Sequence, residues 1–293
     1  MVRTIGNPGS WLFNAFGGAS AHAAAAASEL AAEENSAPPQ LRDITLDDLR
    51  AALRAGVEDF TAFRTDVFFL VLLYPLMGLL LVWFAFDRNM MPLIFPLVSG
   101  FALIGPVAGI GLYEMSRRRE LGLETGWADA FAVLRSPSLG PILVLGLYLL
   151  ALFIIWIVTA GWIHSATMGP EIPVSITVFL REVLTTGPGW AMIVIGTGVG
   201  FLFAASVLAV SVISFPLLID RHVGLPVAVA TSIRLTRRNP VTVAAWGLIV
   251  AVSLALGSLP LLLGLVLVLP ILGHATWHLY RRAVEPAPRV TPS

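Results

Sequence analysis

The sequence predicts an all-α membrane protein: a polytopic bundle of six transmembrane helices with amphipathic interfacial helices on its cytoplasmic face. Three observations carry this. Of 293 residues, 57% are hydrophobic and only 12% charged, against about 45–50% and about 25% in soluble domains. Charge-free apolar runs reach the roughly 20 residues a helix needs to cross about 30 Å of hydrocarbon with its backbone polar groups paired internally. The arginines fall almost entirely into alternate loops.

Residues 1–44 are rich in Ala, Gly and Pro. The Ala-rich run has helix propensity but no second face to bury, so a flexible segment is expected. Ala19-Ser20-Ala21 resembles a signal cleavage site, but Asn14, Gly17 and Gly18 interrupt the apolar core such a signal needs, and no cleavage is expected there. From Thr45 the pattern changes. Thr45-Leu46-Asp47-Asp48 has the form of a capping box, and Leu46, Leu49, Leu53, Val57, Phe60 and Phe63 recur at three- and four-residue spacing. This predicts an amphipathic cytoplasmic helix over 45–66, its apolar stripe on the membrane surface or the bundle ends, and Arg50, Arg54 and Arg64 facing water or headgroups.

The first four spans are expected at 67–86, 91–113, 141–163 and 190–219. Residues 241–280 run for forty positions without Asp, Glu or Arg, too long for one crossing. Gly257-Ser258-Leu259-Pro260 supplies a turn, giving a hairpin of spans five and six. Residues 67–280 thus form the transmembrane domain and 281–293 a short cytoplasmic tail. Sixteen arginines lie before span one, between spans two and three, between four and five, and after six, whereas only Arg88 and Arg181 lie on the other side. Positive flanks stay cytoplasmic, which places both termini there. Arg117, Arg118, Arg119, Arg221, Arg237, Arg238, Arg281 and Arg282 mark that interface.

The two cytoplasmic loops share an offset of 102, pairing Gly122-Leu123 with Gly224-Leu225, Arg119 with Arg221 and Arg135 with Arg237. Each carries a short amphipathic stretch ending at a proline, Pro137 or Pro240. Two parallel helix–loop–helix repeats are therefore expected, flanked by spans one and six.

Cysteine is absent, which removes disulfides, iron–sulfur ligation and thiol nucleophiles, and every basic residue is Arg, which removes a P-loop lysine and a pyridoxal Schiff base. Zero net charge gives no basic field for nucleic acid. Gly196-Thr197-Gly198-Val199-Gly200 sits inside an apolar span with no preceding strand, so it is not a nucleotide loop. The spans hold no Asp, Glu or Arg, which argues against ion-coupled transport. Their hydroxyls, Ser211 and Ser214 among them, fit bonds to backbone carbonyls, or a polar path for a neutral solute. Small residues at four-residue spacing (Gly105 and Gly109; Gly196, Gly200 and Ala204; Gly247, Ala251 and Ala255) mark close helix packing. Pro75, Pro106, Pro216 and Pro270 are expected bends.

The candidate ligand set is His222, His274 and His278. The last two lie four apart on one face of span six, with Glu114, Asp220 and Arg221 at the same depth. Neutral imidazoles so grouped suit a metal, a haem or a quinone headgroup. The plain alternative is an interfacial belt with Trp277, Tyr280, Arg281 and Arg282. Position 275 is Ala where a zinc-protease helix needs Glu, and no metal site, catalytic residue or resident cofactor is expected.

Gly105-Pro106, Gly111-Leu112-Tyr113-Glu114 with Ser116-Arg117-Arg118-Arg119-Glu120, Phe215-Pro216 with Asp220-Arg221, and above all Gly273-His274-Ala275-Thr276-Trp277-His278-Leu279-Tyr280-Arg281 resemble the bacterial integral-membrane family catalogued as domain of unknown function 2189. The resemblance spans roughly 45–282 and implies a polytopic inner-membrane protein with no established activity. Some members carry a cytochrome oxidase label. Histidines confined to span ends cannot form a haem–copper catalytic set, which leaves non-catalytic association with a respiratory or other membrane complex. The expected function is a non-enzymatic accessory or scaffold contacting lipid or such a complex through its cytoplasmic face. The alternatives are a facilitator for a small neutral or amphiphilic solute, and a haem- or metal-binding membrane protein. An oligomer is compatible with either.

Overall fold

The computed structural model describes residues 38–87, 90–171, 173, 175–221, 223–260 and 262–286. The expectation for residues 1–37 lies outside the described residues, as does His222. The described chain is all-helical, its only bridge joining Leu41 and Val284. The helices are α1 (Leu46–Asp87), α2 (Ile94–Phe101), α3 (Gly105–Ala108), α4 (Ile110–Glu120), α5 (Leu139–Thr167), α6 (Ile176–Thr185), α7 (Gly187–Ser211), α8 (Ser214–Asp220), α9 (Leu225–Arg238), α10 (Pro240–Ser258) and α11 (Leu265–Ala283). Among the described residues, four stretches are long and apolar enough to cross a membrane: Met91–Glu120, Leu139–Thr167, Gly187–Asp220 and Pro240–Ser258. They coincide with expected spans two to five. The apolar piece Pro75–Phe86 of α1 is shorter, and α11 carries His274, His278, Arg281 and Arg282 in its second half.

The capping box at the start of α1 forms as read. The Thr45 backbone N–H donates to Asp48 Oδ2 at 2.9 Å and the Asp48 N–H to Thr45 Oγ1 at 3.3 Å. The amphipathic helix and the first apolar run are not two elements, however, but one continuous 42-residue helix. Its packed face takes up only part of the expected stripe. Leu49 is buried and Leu53 and Phe60 are half-buried, but Leu46 and Val57 are exposed, and Ala52, Gly56 and Asp59 are buried in their place. Small residues win because α1 lies almost in contact with the backbone of α11: a Cβ on Gly56 would stand 2.7 Å from both Ala275 N and Ile271 O. Bulkier side chains cannot enter that seam.

Proline acts where it removes a hydrogen bond that no neighbour restores. The Met91–Glu120 stretch is broken by the 3-10 turn Ala102–Ile104 just before Gly105-Pro106, and the Gly187–Asp220 stretch breaks at Val212-Ile213, two residues before helix α8 reaches Pro216. Pro75 and Pro270 sit inside helices that continue through them. A Schellman arrangement ends α4, with Leu123 N–H on Arg118 O, Gly122 N–H on Arg119 O, and Gly122 at φ +70°. Around the two loops the element order is alike, a broken apolar stretch, a short helix, then a longer apolar helix, but the short helix is 3-10 at Trp127–Arg135 and α-helical in α9. The glycines mostly admit side chains and not partner backbones. Gly100 and Gly200 receive the ring of Trp156 and Gly247 receives Leu208, while Gly196 faces open space. Helix α6, between α5 and α7, has no counterpart in the sequence reading.

Candidate functional site

The polar side chains of α1, α4, α8, α9 and α11 meet at one end of the bundle. Asp59, 5% exposed, is the hub. Its Oδ2 accepts from Ser116 Oγ at 2.5 Å and from His278 Nε2 at 2.9 Å, and its Oδ1 pairs with Arg119 at 2.5 Å. Ser116 Oγ also lies 2.7 Å from Nδ1 of fully buried His274. A hydroxyl has one hydrogen, and that of Ser116 is committed to the carboxylate. Nδ1 of His274 must therefore carry the proton and donate to Ser116. Burial alone would push the Asp59 carboxyl up, but the bonds from His278 and Ser116 and the nearby imidazoles outweigh it and hold the group below its ordinary 3.8.

Asp, Ser and His together invite comparison with a nucleophilic triad, in which the serine gives its proton to histidine and histidine leans on the acid. Here the order is inverted. Serine is the middle member, gives its hydrogen to the acid, and is 1% exposed. The set can hold three helices together; it cannot present a nucleophile.

Around this hub the arginines turn inward. Glu120 accepts from Trp277 Nε1 at 3.1 Å and pairs with Arg281 at 2.8 Å, while Asp220 accepts from Tyr280 at 2.5 Å and lies 3.3 Å from Arg281. Arg117 clasps buried Glu114 through two bonds of 2.8 and 3.0 Å. Arg118 pairs with Asp129, Arg221 with Asp220 and Arg282 with Asp48. Arg238 holds Asp43 through two bonds, at 2.6 and 3.1 Å, and donates to Leu41 O. Asn239 and Thr242 bond the backbone of Ile44 at 2.9 Å each, and Arg221 also donates to the carbonyl of Glu285. The extended segment before α1 is thereby strapped to the α9–α10 junction and, through the Leu41–Val284 bridge, to the end of α11. Arg237, also expected at the membrane surface, is exposed at the end of α9.

His274 and His278 do come together, on a carboxylate and a serine. Glu114 and Asp220, expected beside them, serve Arg117 and the Tyr280–Arg281 pair instead. Among the described residues no group of three or more His, Cys, Asp or Glu side chains is arranged to hold a metal. The residue missed from sequence is Asp59. The available signal was the Ala52-x-x-x-Gly56 spacing with an acid three positions on, a small face ending in a charge.

About a turn from the hub is a cavity of ≈ 120 Å³ at the helix breaks, lined by Gly105, Pro106 and Gly109, by Tyr113, by Ser211 and Val212, by Trp246 and Val250, and by Gly273 and Thr276. No charged side chain lines it.

Compared with known families, residues 94–220 match the family model described as a predicted integral membrane protein, DUF2189. The resemblance read from the motifs is thus found over this stretch, which takes in Gly105-Pro106, Ser116–Glu120 and Phe215-Pro216 and stops short of Gly273–Arg281. No curated protein and no solved structure matches the chain.

Proposed function

We propose that this integral membrane protein crosses the bacterial inner membrane six times with both ends of the chain in the cytoplasm, and serves without enzymatic activity as an accessory or scaffold for lipid or a membrane complex. The arginine-rich end is the working surface. What supports this most is that this end is assembled in advance: Asp59, Glu120, Asp220 and Asp43 consume the inward polar groups, leaving Arg54, Arg135 and Arg237 exposed alongside exposed Phe131 and Leu134. Apolar side chains flanked by guanidinium groups suit the headgroup boundary, where the stems bury and the charges stay wet. The expected six crossings need α1 and α11 as the outer members of the bundle, and the packing of these two against each other at Gly56 agrees with that.

A facilitator has less support, because the cavity a solute would use ends at Gly273, beside fully buried His274, which is bonded to buried Ser116. The test exploits the absence of cysteine. Single substitutions Leu123→Cys and Gly169→Cys are placed in intact cells with a membrane-impermeant maleimide. Labelling of the second and protection of the first are expected, and the reverse overturns the orientation. Affinity purification in mild detergent then distinguishes partner from lipid. A reproducible protein partner lost in an R54A/R135A/R237A variant is the expected outcome, and recovery of the bare chain with bulk lipid, unchanged by that variant, counts against the scaffold.

A further inference from the structure

We propose that the cavity at the helix breaks is a binding site for a small, neutral, hydroxyl-bearing ring compound of the phenol class, entering from the bilayer. Its volume, ≈ 120 Å³, is of the order of an engineered protein cavity of about 150 Å³ that takes up benzene. The walls are apolar and aromatic, with Trp246 and Tyr113 both almost fully buried, and an ion would be left without a counter-charge there.

The hydroxyls specify the ligand's polar end. Ser211 donates to Val207 O at 2.7 Å, and Thr276 donates to Leu272 O at 2.7 Å. The Ser211 and Thr276 hydrogens are thus committed, and these two oxygens have only lone pairs left to offer. Two oxygens that can only accept favour a molecule that donates, and the Tyr113 hydroxyl, the third polar group of the lining, can donate to that molecule's oxygen in turn. Water also donates, but a cluster of waters needs more partners than three hydroxyls in an apolar wall supply. One ring with one O–H satisfies both halves of the lining.

The site also owes its existence to irregular backbone. Gly105-Pro106 and the Val212-Ile213 break open the space, as binding sites between interrupted membrane helices do. On the α11 side it is floored by Gly273 and Thr276, the neighbours of His274, so an occupant touches the same turn of helix that closes on Asp59.

The full chain in mild detergent is titrated with phenol and with toluene, which matches phenol in shape but lacks the donor, and binding is followed by ligand-observed NMR. Phenol is expected to bind about tenfold more tightly, the worth of one hydrogen bond to a buried acceptor. Val250→Phe fills the space and is expected to abolish binding of both. Ser211→Ala and Tyr113→Phe each remove one oxygen with little change of shape, and the preference for phenol is expected to fall in at least one of them while toluene binding stays. Absence of phenol binding, equal binding of the two probes, phenol binding by V250F like that of the natural chain, or a preference intact in both hydroxyl variants overturns the proposal. Should V250F fail to fold, the two hydroxyl variants still decide it.

Discussion

The arginine-rich end and the middle of the bundle are built on opposite economies of contact. At the end, buried polar groups are satisfied by specific partners from distant parts of the chain, as with Asp59, Ser116, His274 and His278. In the middle, only 17–22% of the apolar windows of three spanning stretches is buried within the chain, and Gly187–Asp220 alone passes half. Hydroxyls there bond their own helix, as Ser206 does to Leu202 O and Thr159 to Ile155 O. Lipid is as apolar as leucine, so the middle gains little from choosing one neighbour over another. Specificity of assembly therefore resides in the polar end, and the two regions should respond differently to damage.

The largest difference is expected for Asp59→Ala. It strips the acceptor from Arg119, Ser116 and His278 at once; Arg119 is exposed and can turn to water, but leaving the buried Ser116 donor without its acceptor costs about 1–3 kcal/mol. Thermal unfolding in mild detergent should show a clearly lowered midpoint, and a midpoint like that of the natural chain would mean that the hub does not hold the end together. Next comes a contrast within one helix. Gly200→Leu must displace the Trp156 ring, whose nearest atom lies 3.0 Å from where a Cβ at position 200 would stand, whereas Gly196→Leu enters open space. Overpacking costs about 1–3 kcal/mol, so the first variant should melt earlier and the second should not; equal melting would remove the packing role of Trp156.

Acid gives a gentler version of the first experiment. Asp59 is held below its ordinary 3.8, so its contribution is complete at neutral pH, persists down to about that value and is lost as pH falls through the lower, folded value. Stability measured between pH 7 and 3 should decline at the acid end, and Asp59→Asn should flatten that decline. A decline of the same steepness in D59N would assign it to other carboxylates. The smallest effect belongs to the middle: Ser206→Ala, at an exposed position bonded only within its helix, should change the midpoint by no more than about 0.5 kcal/mol allows.

Much of the fold could be read from periodicity and caps. The box at Thr45–Asp48, the turn near Gly257–Pro260 and the apolar positions of expected spans two to five all reflect local rules, and local rules survive without knowledge of the tertiary partner. The packed face of α1 could not be read that way. Hydrophobic periodicity points to Leu46 and Val57, but the seam with α11 is set by how near two backbones come, and nearness selects Ala52 and Gly56. The site was legible in half. His274 and His278 were found together because they share a helix face four residues apart. Asp59 and Ser116, 57 residues apart in sequence, meet only through the fold, and a single acid in an amphipathic helix looks like solvated surface until its partner is known. For the arginines, charge counting speaks only to the side of a membrane and is silent on which carboxylate each guanidinium finds, as Arg119 finds Asp59 and Arg238 finds Asp43.

The backbone pairing of Leu41 with Val284 has a bearing on biosynthesis. A ribosome releases the chain from its beginning, so the strap before α1 and the Ala52–Gly56 face wait through more than two hundred residues of translation before α11 emerges to receive them. Until α11 is made, the Ala52–Gly56 face lacks the backbone it packs against and Asp59 lacks the bond from His278, so the arginine-rich end cannot close before the later helix is in place.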